Sequence, residues 1–195
     1  MIAIVLLIIF AYVMGSVPSG YILGKMSGID VRSIGSGNIG ATNVVRALGK
    51  GRGALTLFAD AAKGYLPVWV ALRLEVGAVT IVLVAIAAFL GHLYPLFLNL
   101  QGGKGVATAL GALLASQPMA TLVLIVVFGV AVLASRIVSL GAIAAAIAAP
   151  VVLWFFSQSP VFVAMGVFLS AMVILRHRGN IQRLLAGSEP RFGTR

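Results

Sequence analysis

The stretch IVSLGAIAAAIAAPVVLWFF, residues 137–156, carries no charged side chain. At about 1.5 Å per helical residue, a run of this length crosses the hydrocarbon core of a membrane, which is about 30 Å thick. A weaker apolar stretch at 54–72 carries Asp60 and Lys63, whereas four stretches are entirely free of charge: 1–24, 76–103, 105–135 and 137–175. The sequence therefore predicts an all-α, polytopic membrane protein.

The composition supports this class. Of the 195 residues, 61% are hydrophobic and only 9% are charged, whereas soluble domains carry about 25% charged residues. A soluble globule is excluded because it would lack polar atoms to cover its surface, and disorder is excluded because disordered chains are poor in apolar residues. The length fits a single integral membrane domain over residues 1–195.

Two of the charge-free stretches are too long for one simple span each. The polar run Ser157–Pro160 divides the last stretch into 137–156 and 161–175. The run Ser116–Pro118 either divides 105–135 into a short 106–115 and a longer 119–135, or kinks one long helix.

The distribution of basic residues favours the divided form, because cytoplasmic loops are enriched in Lys and Arg. With seven segments and the N-terminus outside, twelve bases lie inside and Arg73 outside: Lys25, Arg32, Arg46, Lys50, Arg52, Lys104, Arg136, Arg176, Arg178, Arg183, Arg191 and Arg195. With six segments, Arg136 and the tail arginines would lie outside. We therefore predict seven transmembrane segments with a cytoplasmic C-terminus.

The charge balance indicates the kind of partner. There are 14 basic and 4 acidic residues, a formal net charge of +10. In so apolar a chain this excess favours an anionic lipid surface or an anionic substrate over nucleic acid. The absence of cysteine excludes disulfides and a thiol nucleophile, and two histidines with four acids leave few ligands for a metal site. We expect no metal and no cofactor.

Three polar segments that contain glycine interrupt the apolar chain, and seven spans put all three on the cytoplasmic face. In the first segment, residues 35–46, glycines allow a close backbone approach to a ligand, and Arg46 is a bidentate phosphate donor. The other candidate substrate-binding residues there are Ser36, Gly37, Asn38, Thr42 and Asn43. We expect Asn38 or Thr42 to cap a short helix.

The second segment, residues 102–108, places Lys104 between glycines at the start of a predicted helix, but it lacks the spacing of a nucleotide-binding phosphate loop. The third segment, residues 177–183, offers an imidazole, an amide and two guanidinium groups. Each segment alone is more typical of a simple connector that carries the usual inner-face bases. Three together predict one anion-binding pocket at the inner leaflet.

Two further polar positions are predicted to be structural. Asp60 lies three residues before Lys63, a helical spacing that predicts an internal ion pair. His92, near the end of an apolar stretch, is predicted to make a structural hydrogen bond.

The strings SGNIGATNVVRALG (36–49), GGKGVATALG (102–111) and HRGNIQRLLAGSE (177–189) resemble the three signature segments of the bacterial acyl-phosphate:glycerol-3-phosphate acyltransferases. The similarity covers essentially the whole chain. It implies seven membrane helices in the inner membrane with the active site facing the cytoplasm. It also implies transfer of a fatty acyl group from acyl phosphate to the 1-hydroxyl of glycerol 3-phosphate, giving lysophosphatidic acid and phosphate.

The resemblance also implies roles for individual residues. Ser36, Arg46 and Lys104 would contact phosphate, and Gly103 and Gly105 would supply backbone donors. His177 and Asn180 would hold or orient the glycerol hydroxyls, and Ser139, at a loop-to-helix junction, resembles a substrate contact of the family.

The residues are compatible with this chemistry. Neither histidine is followed five residues later by Asp, since those positions hold Phe97 and Gln182, and no Ser-His-Asp system is supported. Acyl phosphate is already activated, so Lys104 and Arg46 need only neutralise the departing phosphate while positioning supplies much of the rest. The hydroxyl proton goes to His177 or, as we favour, to a substrate phosphate. An anion or lipid-phosphate transporter is the alternative function, although we find no inverted repeat.

Overall fold

The computed structural model describes residues 1–192. The described part of the chain consists of helices joined by turns and loops and contains no strand, which confirms the all-α prediction. Its α-helices are α1 (Ile2–Gly15), α2 (Ser19–Lys25), α3 (Ala41–Leu48), α4 (Lys50–Arg73), α5 (Ala78–Leu93), α6 (Val106–Ser116), α7 (Pro118–Ser135), α8 (Val138–Ser157), α9 (Pro160–Arg176) and α10 (Arg178–Leu185). Short 3-10 turns lie at Val31–Ser33 and Leu96–Leu98.

The polar runs end helices where the sequence predicts. Helix α6 ends at Ser116 and α7 begins at Pro118, with Gln117 in a non-helical conformation between them. Gln158 takes a left-handed conformation between α8 and α9. Proline suits the first turn of a helix because its missing N–H needs no partner there.

The chain forms two compact units, residues 1–116 and residues 117 onward. In the first unit, α1 packs against α5, and α4 packs against α6. Glycines allow these close contacts: a Cβ on Gly15 would lie 2.1 Å from the carbonyl oxygen of Ala88, and one on Gly64 would lie 2.0 Å from that of Thr108. Small residues at helix contacts are typical of membrane proteins, where dispersion replaces the hydrophobic effect.

The first apolar stretch is not one continuous helix, which the sequence did not predict. Residues 16–18 separate α1 from α2, and Pro18 provides no N–H for the helical ladder. The ammonium group of Lys63 donates to the carbonyl oxygen of Val17 at 2.8 Å. Lys63 also pairs with Asp60 at 3.0 Å, which confirms the predicted ion pair.

In the second unit, α8 packs against both α7 and α9. A Cβ on Gly141 would lie 2.5 Å from a Val132 methyl group, and one on Gly166 would lie 2.5 Å from a Leu153 methyl group. Helix α10 bends by 61° from α9. The outward faces of α7 and α8 are apolar, with Leu133 83% exposed and Phe155 69% exposed, as a surface in contact with lipid requires.

Within residues 1–192, four helical segments are long and apolar enough to cross a membrane: Ile2–Met26, Ala78–Leu98, Pro118–Ser135 and Val138–Ser157. The bent pair α9 and α10 qualifies as a fifth if it is one span. Helix α4 has 24 residues but carries the Asp60–Lys63 pair, and α6 has only 11. The mean hydropathy of the chain, +1.13, is that of a membrane protein.

Candidate active site

The first segment is a glycine turn that is tied down by one buried amide. Gly35 and Gly37 adopt φ values of 58° and 68°, a left-handed conformation that favours glycine. Asn43 is only 1% exposed; its Oδ1 accepts from the N–H of Ser36 at 3.0 Å and its Nδ2 donates to the carbonyl oxygen of Val31 at 2.8 Å. Asn43 therefore holds the turn in shape from behind.

The exposed side chains of this segment are those with phosphate-binding character. Ser36, Thr42 and Arg46 are exposed, and Thr42 and Arg46 lie one helical turn apart on the same face of α3. A Cβ on Gly35 would lie 3.5 Å from Cδ of Arg46, so the arginine stem passes beside the glycine turn. These side chains form one accessible edge that carries the base Arg46, and anion binding there stays a prediction.

The predicted helix cap is wrong in detail. The residue that caps α3 is Gly40, which makes no side-chain cap bond, and Thr42 lies within the helix. The Oδ1 atom of Asn38 instead accepts from the N–H of Gly40 at 2.8 Å. The Asn38 side chain thus closes a turn before the helix, which is the common local use of asparagine in loops.

A second basic residue near this segment is fully engaged elsewhere. Arg32 donates to both carboxylate oxygens of Asp30, at 3.0 and 2.7 Å, and its guanidinium group lies 4.6 Å from the centre of the Tyr21 ring. The hydrogen bond from the Arg32 side chain is the main reason that the pKa of Asp30 lies well below its usual range. Arg32 therefore stabilises the loop that precedes the first segment.

The second segment lies against the end of α5. The N–H groups of Gly102 and Gly103 donate to the carbonyl oxygens of Leu93 and His92, both at 3.1 Å. A Cβ on Gly103 would lie 2.1 Å from Nε2 of His92, and Gly105, with φ 80°, lies against the Phe89 ring. Lys104 is half-buried at the centre of this loop.

These contacts explain why glycines surround Lys104. There is no room for a side chain at either neighbour of the lysine, so the loop packs tightly against α5 and presents a single cation. The N–H of Gly103 is used within the protein, and its role as a donor to phosphate stays a prediction, as does that of Gly105.

The first two segments share one hydrophobic support within the first unit. Leu98, in the 3-10 turn that precedes the second segment, packs in one core cluster with Val31, Ile39 and Val44. The structure thus joins the Arg46 segment and the Lys104 segment through common packing. The third segment belongs to the second unit, and the single pocket formed by all three stays a prediction.

In the second unit, the carboxylate of Glu189 accepts hydrogen bonds from two of the predicted residues, Ser139 and Asn180. Its Oε1 accepts from Ser139 Oγ at 2.7 Å and from Asn180 Nδ2 at 2.5 Å, and its Oε2 accepts from Arg183 Nε at 2.7 Å. The Glu189 side chain is 5% exposed. Burial raises the pKa of Glu189, but the hydrogen bonds from Ser139, Asn180 and Arg183 together hold that pKa below its ordinary value.

Glu189 contacts two of the predicted site residues, and the sequence reasoning did not include it among them. It is one of only four acids in the chain, and it follows the third segment in a tail rich in arginine. The rarity of acids in the chain was the feature of the sequence that could have identified Glu189. The bond between Ser139 and Glu189 joins residues 50 positions apart, which no local pattern reveals.

His177 lies at the junction of α9 and α10 and is 3% exposed. Its Nδ1 lies 2.8 Å from the carbonyl oxygen of Val173. Because a carbonyl oxygen only accepts, Nδ1 carries the proton, and in the neutral ring Nε2 is the basic atom. Over residues 1–192, no three His, Asp or Glu side chains come together as metal ligands.

Comparison with known proteins gives one consistent result. Residues 5–187 match the protein family described as glycerol-3-phosphate acyltransferase. The glycerol-3-phosphate acyltransferase of Syntrophotalea carbinolica is 49% identical over 189 residues, covering 96% of both chains. That of Geobacter sulfurreducens is 46% identical, covering 93% of this chain and 94% of the relative.

Two crystal structures are also similar to this fold. Both are of PlsY, an integral membrane glycerol 3-phosphate acyltransferase, one in its glycerol 3-phosphate form and one in its lysophosphatidic acid form. The first has a TM-score of 0.95 at 43% identity, and the second 0.92 at 42%. Each comparison covers 98% of this chain and 96% of the other.

Proposed function

The chain belongs to the glycerol-3-phosphate acyltransferase family, and from this premise we propose that it takes its fatty acyl group from acyl phosphate. It is an integral membrane enzyme of phospholipid synthesis that acylates glycerol 3-phosphate. The products we propose are lysophosphatidic acid, acylated on the 1-hydroxyl, and inorganic phosphate. The single observation that carries the acyl-phosphate donor is the cation Lys104, held half-buried between glycines whose surroundings leave no room for other side chains.

The reaction needs charge neutralisation more than it needs a protein nucleophile. The 1-hydroxyl oxygen attacks the acyl carbonyl carbon, the new C–O bond forms, and the bond from that carbon to the phosphate oxygen breaks. We assign Lys104 and Arg46 to the phosphate that leaves, where negative charge develops, and Ser36 to the phosphate of glycerol 3-phosphate. Cations placed where charge develops are worth most in a site that excludes water.

The other predicted residues have supporting roles in the proposal. Gly37, Asn38, Thr42 and Asn43 shape or line the first segment, and Gly103 and Gly105 let the Lys104 loop lie close to its support. His177 and Asn180 hold the glycerol hydroxyls. Because Asn180 Nδ2 donates to Glu189, its Oδ1 is the atom we assign to a hydroxyl, and Ser139 shares the same carboxylate.

We assign the proton of the attacking hydroxyl to a phosphate oxygen of the substrate. The rival acceptor is Nε2 of His177. His177→Asn decides between them: turnover that keeps most of its rate at every pH makes His177 a positioning group, whereas loss of the rate and of a pH dependence near neutrality makes it the base.

For the membrane arrangement, we propose a single domain over residues 1–195 in the bacterial inner membrane. It has seven transmembrane segments, the N-terminus outside and the site facing the cytoplasm. The distribution of the bases supports this topology, although Arg195 lies outside the described residues. A reporter fused after Ser159 tests it, since seven segments put that loop outside and six put it inside.

The function is tested with purified protein in detergent. Phosphate release from acyl phosphate that requires glycerol 3-phosphate, with matching formation of lysophosphatidic acid, supports the enzyme, whereas an anion or lipid-phosphate transporter releases none. Lys104→Ala and Arg46→Ala are expected to lower kcat/KM by at least about 100-fold. Lys50→Ala, which removes an exposed base at the start of α4, is the matched control and is expected to retain wild-type kinetics.

A further inference from the structure

Three buried polar side chains lie beneath the second segment and have no part in the chemistry above. Asp60, Lys63 and His92 have side chains only 3%, 6% and 4% exposed. Buried ionisable groups within a membrane protein are costly unless paired, and they usually mark a function.

Lys63 is explained by the break between α1 and α2. Its ammonium group donates to the carbonyl oxygen of Val17 at 2.8 Å and pairs with Asp60 Oδ1 at 3.0 Å. The carbonyl oxygen at a helix break needs a donor at membrane depth, where water is absent. Lys63 therefore fixes one side of the Asp60 carboxylate.

The Asp60 oxygen that pairs with Lys63 also faces His92, whose ring lies between this carboxylate and the second segment. The Nδ1 atom of His92 lies 3.8 Å from the same Asp60 oxygen. On the opposite edge of the ring, a Cβ on Gly103 would lie 2.1 Å from Nε2. The main chain of His92 adds a second contact, because its carbonyl oxygen accepts from the N–H of Gly103 at 3.1 Å.

We propose that His92 is a positioning residue for Lys104. The Asp60 carboxylate, anchored by Lys63, lies 3.8 Å from Nδ1 on one edge of the imidazole. The opposite edge of the ring supports the backbone of residues 102–105, which sets where the Lys104 ammonium group meets a substrate phosphate. This assignment rests on the proposed function of Lys104. A displacement of the lysine by about 1 Å is enough to cost on the order of 100-fold in rate.

The test is a double-mutant cycle measured as kcat/KM for acyl transfer. His92→Leu is expected to lower kcat/KM on the order of 100-fold, and His92→Gln, which keeps a polar group of similar reach, to recover most of that loss. If His92 acts through Lys104, His92→Leu in the Lys104→Gln background lowers kcat/KM further by less than about threefold.

Thr56→Val is the matched control. Thr56 is fully buried on the same face of α4, one turn before Asp60, and its hydroxyl donates to the Arg52 carbonyl oxygen. We expect kcat/KM within about twofold of wild type, and the same small factor in the Lys104→Gln background.

Several outcomes would overturn the proposal: additive losses of His92→Leu and Lys104→Gln, equal losses for His92→Leu and His92→Gln, or wild-type kinetics in His92→Leu. If His92→Leu does not elute as folded protein, Asp60→Asn takes its place in the cycle with the same non-additivity required. Failure of the proposed function is distinct, because wild-type protein would then form no lysophosphatidic acid at all.

Discussion

Glu189→Gln tests whether one carboxylate organises the second half of the site. The glutamine keeps the shape and one acceptor oxygen but removes the negative charge shared by Ser139, Asn180 and Arg183. A buried bond to a charged acceptor is worth about 1.5–3 kcal/mol and a neutral one about 0.5–1.5, so the bonds from Ser139 and Asn180 together weaken by about 2–3 kcal/mol. The Arg183 side chain is 43% exposed, so its lost ion pair adds only about 0–1 kcal/mol.

The expected total is therefore about 2–4 kcal/mol, which corresponds to a fall in Tm of roughly 4–16 °C for a chain of this size. Asn180 and Ser139 lose their common anchor, so kcat/KM is expected to fall about 10- to 100-fold. The measurements are thermal unfolding in detergent and steady-state acyl transfer. Glu75→Gln makes the same substitution on an exposed carboxylate after α4 and serves as the control. Equal Tm and kcat/KM in the two variants would refute the anchoring role.

The same carboxylate predicts a pH dependence of stability. Because the pKa of Glu189 is lowered in the folded protein from its ordinary value of 4.5, its stabilisation is complete above that ordinary value. As the pH falls below it, the unfolded chain takes up the proton first, and the stabilisation disappears as the pH passes the lowered pKa of the folded state. The Tm difference between wild type and Glu189→Gln is therefore expected to be constant near neutrality and to shrink below about pH 4. A difference that grows on acidification would contradict this sign.

Two further predictions concern the first unit. Gly64→Ala places a methyl group 2.0 Å from the Thr108 carbonyl oxygen and forces α4 and α6 apart, so we expect a loss of about 1–3 kcal/mol in unfolding free energy. Gly51→Ala, in the same helix at a position where a Cβ meets open space, is the control and is not expected to lower Tm; a thermal melt of both variants compares them. Asn43→Asp replaces the donor to the Val31 carbonyl oxygen with an acceptor and buries a charge, so we expect KM for glycerol 3-phosphate to rise about tenfold or more, and kinetics equal to wild type would show that the first turn keeps its shape without that amide.

The helical architecture was largely accessible from the sequence because its determinants are local. Polar residues followed by proline mark the ends of α6 and α8, and charge-free stretches mark the helices. The break at residues 16–18 was missed because the carbonyl oxygen of Val17 is satisfied by Lys63, a residue 46 positions away in the sequence. Long-range compensation of this kind leaves no periodic signal.

The candidate site likewise has features that the sequence predicts locally and features that depend on long-range contacts. The glycine-bearing segments and their exposed bases are visible as composition, which is why Arg46 and Lys104 stood out. The hydrogen-bond partners of side chains cannot be predicted from composition. Asn43 was predicted to bind substrate, yet its Oδ1 and its Nδ2 are both hydrogen-bonded within the protein. Glu189 was not among the candidate residues, yet its carboxylate joins Ser139 to Asn180.

The crowding behind the Lys104 loop changes how an alanine scan of this region should be interpreted. A methyl group at Gly102 would lie 2.1 Å from the His92 carbonyl oxygen, and one at Gly103 would meet the imidazole. Loss of activity in alanine variants of these glycines therefore reports a steric clash with His92. It gives no evidence that the glycines contact a ligand. Within residues 102–105, only Lys104 can be replaced by alanine without a steric clash. Mutagenesis of this segment therefore tests the chemistry of Lys104 alone.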